Sequence, residues 1–167
     1  MSNVKEEAVF ISEKAKQLFP KIDFSDTFST TNQENSIEEI TNQIFNTAPK
    51  WVEFLFKMRN SIVKFFGLKT GIPDDYSEDF KVGGYVKFFK IYTITDNEVI
   101  LGANDSHLNF RAIVHNTNTP MYNIKVTTLV EYNNVKGKIY MAIVKPFHRL
   151  VVKRMVEQAF YQSTKNN

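Results

Sequence analysis

Apolar residues recur at two different spacings along the chain, and the change between the spacings separates strands from helices. Period-two positions within residues 19–31 predict an opening strand, and they are Ile22, Phe24 and Phe28. Residues 1–18 are polar and of mixed charge, so we expect them to precede a core of about 19–162 in a single domain.

Two short helices are expected after this strand. Ser36 and Glu39 have the spacing of a capping box, in which each side chain bonds the other residue's backbone N–H. Apolar positions three and four apart then predict a second helix over residues 49–66, which a proline opens and Gly67 closes. Residues 69–84 are polar and contain turn residues, so they predict an exposed loop long enough to cover a site.

A block of four strands should follow, over residues 85–95, 98–103, 107–115 and 122–132. Asp96 and Asn97 indicate a tight hairpin, and such short connections require antiparallel pairing. Apolar residues occupy the even positions of the last two strands. We therefore expect the even positions to face the last helix.

This last helix is predicted from about residue 134 to 162 and is long enough to lie across the sheet. Its apolar row contains Tyr140, Val144, Phe147, Val151 and Met155, widened by Ile139, Ile143 and Leu150. Pro146 within it predicts a kink or a break one turn upstream. The fold class that results is α+β, an antiparallel sheet wrapped around a long C-terminal helix.

Composition excludes several classes of protein. The 167 residues contain no Cys, which excludes a disulfide scaffold and a Cys nucleophile. Aromatic residues make up 14% of the chain, which excludes a disordered chain. No apolar run has the length of a signal peptide core or a membrane span, so we expect a cytoplasmic, bacterial-type protein without a membrane partner.

Charge adds little to this picture. The net charge of +3 comes from a basic C-terminal third, where Lys145, Arg149 and Lys153 lie at steps of four on the outer side of the last helix. No nucleic-acid-binding motif accompanies them, so we expect no nucleic-acid partner. No metal-ligand cluster, GxGxxG or P-loop is present, so no metal or cofactor is expected.

Large aromatic residues on the sheet and the last helix either fill the core or line a ligand pocket, and the sequence does not choose between these outcomes. Arg59 falls on the apolar stripe of the second helix, so it needs a partner, either Asp105 or a bound anion. The candidate ligand-binding residues are Arg59, Tyr85, Phe110, Tyr132, Tyr140, Phe147 and His148.

Asp105 and His107 are the weak catalytic candidates. Two residues apart across a turn, they can form a hydrogen-bonded pair that handles protons, or else a turn-capping Asp followed by a His at a strand start. His107 is an odd position of the predicted strand 107–115, so alternation places its side chain on the side of the sheet away from the last helix.

Three motifs in order resemble the bacterial family named domain of unknown function 2867: Trp51-Val52 with Met58-Arg59-Asn60 and Phe66-Gly67-Leu68-Lys69, then residues 101–111, then Tyr140, Ile143 and residues 145–149. The resemblance covers residues 20–160 and implies a START-like, helix-grip fold. It carries over no catalytic residue, and Asn104 stands where the family pattern favours an Asp.

Three functions follow as hypotheses. The first is a small domain that binds an apolar or amphipathic molecule between the sheet and the last helix. The second is a cyclase-, hydratase- or isomerase-type enzyme in which Asp105 and His107 transfer protons, although no catalytic motif supports an enzyme. The third is a protein-interaction module, with homodimerisation left open.

Overall fold

The computed structural model describes residues 3–47 and 73–165 together with Lys50, Lys57 and Lys64, and it describes side chains as far as residue 160. Its strands are β1 (Lys5–Glu7), β2 (Phe24–Thr30), β3 (Tyr85–Val86), β4 (Phe89–Ile94), β5 (Glu98–Asn104), β6 (Leu108–Asn116) and β7 (Ile124–Tyr132). Its helices are α1 (Glu13–Leu18), α2 (Ile37–Asn46) and α3 (Val135–Lys165).

One antiparallel sheet holds all seven of these strands, in the order β1-β2-β7-β6-β5-β4-β3. Together with the long C-terminal helix and the short helices, it confirms the α+β class and is consistent with a helix-grip fold. The tight hairpin is also confirmed, because the Thr95 N–H donates to the Glu98 carbonyl at 2.8 Å. No helix in the described part of the chain is long and apolar enough to cross a membrane.

The first of the two predicted helices is α2, and it begins at the predicted capping box. The Ser36 hydroxyl accepts from the Glu39 N–H at 3.3 Å, and the Glu39 carboxylate accepts from the Ser36 N–H at 2.8 Å. The second predicted helix, residues 49–66, lies outside the described residues apart from Lys50, Lys57 and Lys64, which are helical and exposed.

Two elements differ from the sequence-based expectation. The N-terminal segment contributes the edge strand β1 and the helix α1, although it is polar in composition. The predicted strand over 85–95 divides into β3 and β4, which pair across a tight turn where Val86 opposes Phe89. Lys87 in this turn has a φ of +58°, so the chain reverses direction there.

Both faces of the sheet are covered. The even positions of β6 and β7 face α3, as predicted, and they also face α2; those buried there include Ala112, Val114, Ile124 and Val126. On the odd face, Ile113 and Leu129 pack with Ala15 of α1 and with Phe19. The N-terminal segment therefore supplies a second layer of core that its composition does not reveal.

Helix α3 continues through Pro146, so the predicted break does not form. Pro146 and Ala142 are both exposed, and water can therefore satisfy the Ala142 carbonyl that loses its helical donor. The buried side of α3 contains Tyr140, Met141, Met155, Val156 and Ala159.

Phe147 departs from the apolar row expected for this helix, because it is 45% exposed. The residues exposed with it are Ile139, Ile143 and Leu150. Apolar residues occur on two sides of α3, and only the side that packs against the sheet is buried.

Candidate functional site

The turn between β5 and β6 is held against the start of α3 by hydrogen bonds. The Asn133 side chain donates to the Asp105 carbonyl at 2.6 Å, and the Asn133 N–H donates to the His107 carbonyl at 3.0 Å. Asn134 donates to the Ser106 carbonyl at 2.8 Å and accepts from the Gly137 N–H at 3.2 Å, as a helix-capping side chain does. These bonds fix the position of the turn that carries both catalytic candidates.

Gly137 permits the close contact between the helix and this turn. A Cβ atom at this position would lie 1.9 Å from the His107 carbonyl oxygen and 2.9 Å from its carbon. Since both atoms belong to the backbone, a larger residue would force the helix and the turn apart.

His107 is buried as a result, with 1% of its surface exposed. Its Nδ1 lies 3.4 Å from a carboxylate oxygen of Asp105, and its ring stands edge-on to Tyr140 with centroids 5.0 Å apart. The outward direction expected from strand parity is wrong. His107 precedes β6, where alternation has not begun, and the start of α3 covers it.

A surface recess of about 480 Å³ opens at this junction, and we call it the α3 recess. Its wall is mostly apolar surface, and its lining residues are Ser106, His107, Asn134, Val135 and Lys136. The arrangement places His107, which has the Asp105 carboxylate 3.4 Å from its Nδ1, in the lining of a space of ligand size.

Comparison with known proteins identifies the family. The family model described as a protein of unknown function (DUF2867) matches residues 18–155. This chain belongs to the DUF2867 family. No curated protein and no solved structure matches the chain.

Three of the predicted ligand residues of this DUF2867 domain lie in one apolar cluster, and one of them, Tyr140, contacts His107. Tyr140, Phe110 and Tyr132 pack with Leu108 and Val130 between the sheet and α3. Burial raises the pKa of Tyr132, and the charge of Asp23 raises it further. None of these three side chains lines the α3 recess, and the cluster is connected to it through the contact between Tyr140 and His107.

The remaining predicted residues are dispersed over the DUF2867 domain. Tyr85 lines a second recess, of about 440 Å³, beside α2, and its hydroxyl donates to Asp75 at 2.9 Å. Burial, and then this hydrogen bond, raise the pKa of Tyr85. Phe147 is exposed on α3, and Arg59 with its proposed salt bridge to Asp105 lies outside the described residues.

His148 faces the sheet and meets a partner that the sequence analysis missed. Its Nε2 lies 3.2 Å from Oδ2 and 3.4 Å from Oδ1 of Asp26, and the hydrogen-bond geometry is met to Oδ1. Asp26 is 6% exposed. The signal in the sequence was an acidic residue at an alternate position between Phe24 and Phe28, on the face of β2 that α3 covers.

Proposed function

We propose that this domain binds a small apolar or amphipathic molecule in the α3 recess. The observation that carries the proposal is the recess itself, because about 480 Å³ lies within the roughly 300–1,000 Å³ of small-molecule sites. Val135 supplies apolar surface, and it is 70% exposed.

The polar groups at the recess support an amphipathic ligand. Ser106 and Lys136 are exposed residues of its lining, whereas His107 is a buried one. A ligand with an apolar body and one polar end would match this distribution, because few, fixed polar groups orient a ligand within an apolar wall.

Binding of the neutral fluorescent probe N-phenyl-1-naphthylamine tests the proposal. Val135→Trp places a large side chain in the recess at an exposed position, so we expect the probe affinity to fall about tenfold or more while the fold is kept. Val82→Trp is the matched control, because Val82 is 62% exposed and does not line the recess.

A third variant separates the recess from the exposed side of α3. Phe147→Asn removes apolar surface from that side and leaves the recess lining intact. If the probe were lost in Phe147→Asn but retained in Val135→Trp, the probe would bind the helix surface and the proposal would be wrong.

A proton-transfer enzyme of the cyclase, hydratase or isomerase type is the second candidate function. The burial of His107 beside Asp105, in the lining of the recess, favours it. A molecule that co-purifies with the protein would be incubated in deuterated buffer. Deuterium uptake with the wild type but not with His107→Asn supports this candidate, and equal uptake with both proteins contradicts it.

A further inference from the structure

Arg111 lies on β6 at an odd position, on the face of the sheet that the N-terminal segment covers. Only 6% of its surface is exposed. Its guanidinium carbon is 3.8 Å from the ring centroid of Tyr92 and 5.1 Å from that of Phe19. Aromatic rings therefore lie close to this cation, as in cation–π pairs.

Gly102 makes room for this side chain. It pairs with Arg111 across β5 and β6, and a Cβ atom at position 102 would lie 3.1 Å from Cδ of Arg111. The aliphatic part of the Arg111 side chain thus passes over Gly102, and a side chain at position 102 would crowd it.

Toward the described residues, Arg111 donates hydrogen bonds from one of its three nitrogens. Nη1 donates to the Asn104 side chain at 2.8 Å, to the Phe110 carbonyl at 2.8 Å and to the Ala103 carbonyl at 3.5 Å. Nε is buried and has no hydrogen-bond acceptor among the described residues. A guanidinium has five N–H donors, so its Nε–Nη2 edge retains donor capacity.

The charge of Arg111 also lacks a close counterion. Arg149 and Arg154 pair with Glu6 and Glu157, whereas no carboxylate in the described part of the chain lies within 4.0 Å of Arg111. Burial lowers the pKa of Arg111, and the charges of Tyr92 and Glu131 oppose that effect. The Glu131 carboxylate itself accepts from Asn109 at 3.2 Å.

We propose that Arg111 is an anion-binding residue that holds a small oxyanion, a carboxylate or a phosphate group, at its Nε–Nη2 edge. This edge is the one that binds planar carboxylates and phosphates through two parallel hydrogen bonds. The bound anion supplies the acceptor that Nε lacks and the counterion that a buried cation needs. The site is separate from the α3 recess, because neither Arg111 nor its contacts line that recess.

Nuclear magnetic resonance of the arginine Nε–H groups tests this directly. The chain has four arginines, at positions 59, 111, 149 and 154, so the spectrum is simple to assign with single Arg→Lys variants. If Arg111→Lys does not fold, the other three variants assign the Arg111 signal by elimination. The ¹⁵N-labelled wild type is then titrated with sodium phosphate and, separately, with sodium acetate, against sodium chloride of equal ionic strength.

We expect the Arg111 signal to shift and saturate in phosphate, acetate or both, and not in chloride. Saturation in phosphate alone assigns a phosphate ligand, and saturation in acetate alone assigns a carboxylate ligand. Arg149 and Arg154 are internal controls, because each already has a carboxylate partner. An Arg111 signal that does not move, or that moves equally in chloride, overturns the proposal.

Thermal unfolding provides a second readout. An anion that binds only the folded state raises the Tm with its concentration. The anion that shifts the Arg111 signal should raise the Tm of the wild type and of Arg154→Lys alike. In Arg111→Lys, an ammonium group replaces the planar guanidinium and cannot form two parallel hydrogen bonds. We therefore expect the affinity for the anion to fall about tenfold.

Discussion

His148 on α3 and Asp26 on β2 form a buried pair, with Nε2 of the imidazole 3.2 Å from Oδ2 of the carboxylate. The ring of Phe24 stands edge-on to the same imidazole at 5.6 Å. The pair joins the longest helix to the second strand of the chain, 122 residues away in sequence. It explains why a strand that packs beneath a helix contains an acidic residue.

Removing one member of this pair should destabilise the protein strongly. In His148→Leu the Asp26 carboxylate stays buried without its partner, so we expect the free energy of unfolding to fall by about 3 kcal/mol. The double variant Asp26→Val with His148→Leu should recover most of that loss, because it leaves no buried charge. Urea unfolding of the four proteins in the cycle measures the coupling, and additive losses would contradict it.

Gly137→Ala should also be destabilising, against the usual trend. Replacing Gly by Ala within a helix normally adds up to about 1 kcal/mol of stability. Here the new Cβ would lie 1.9 Å from the His107 carbonyl oxygen, so we expect a loss of about 1–3 kcal/mol. Lys138→Ala, at an exposed position of the same turn, is the control for denaturant unfolding. Equal stabilities of Gly137→Ala and the wild type would refute the close contact.

Pro146→Ala should stabilise the protein. Helix α3 runs through Pro146, which has no N–H to donate to the Ala142 carbonyl. Alanine restores this donor and has a better helix propensity, so we expect a gain of about 1–3 kcal/mol in the free energy of unfolding. Lys145→Ala is the neighbouring control, and its effect on thermal unfolding should be small. A loss of stability in Pro146→Ala would indicate that the fold requires a distortion at this position.

Acid should weaken the contact between β1 and β7. Burial raises the pKa of Glu7, but the hydrogen bonds from Lys125 and Ser29 and the charges of Lys125 and Lys5 together outweigh it, so the pKa is lowered from 4.5. The carboxylate therefore stabilises the folded state above the unfolded pKa of about 4.5, and this stabilisation is lost as the pH falls through the lower folded pKa.

Lys125→Met tests this pH dependence, because Lys125 donates to Glu7 at 2.7 Å. Between pH 7 and pH 3, the free energy of unfolding should fall less in Lys125→Met than in the wild type. Lys16→Met removes an exposed pair with Glu13 and is the control, which should keep the wild-type pH dependence. Parallel pH profiles for Lys125→Met and the wild type would be evidence against a stabilising role for Glu7.

The elements that were predicted well are those whose signals lie within a few residues of one another. Ser36 and Glu39 bond within one helical turn, and Asp96-Asn97 joins two strands that are adjacent in the chain. Period-two alternation likewise placed the even positions of β6 and β7 against the last helix.

The candidate site was predicted only in part, because its geometry depends on contacts between distant segments. The sequence pointed to Asp105 and His107 but placed the imidazole outside, since nothing near His107 in the chain shows that Gly137 brings a helix over it. Asp26 was missed for the same reason, as its partner His148 lies on a helix at the other end of the chain.

The sequence by itself determined the α+β class, the antiparallel strand block, the cap of α2 and the family resemblance, because local hydrogen bonding and apolar periodicity are sufficient for them. Only the tertiary structure decided which side of α3 is buried, that the N-terminal segment covers the odd face, and that His107 and Arg111 are enclosed. The physical reason is that burial depends on which surfaces meet in space, and a chain with apolar residues on several faces leaves that choice to packing.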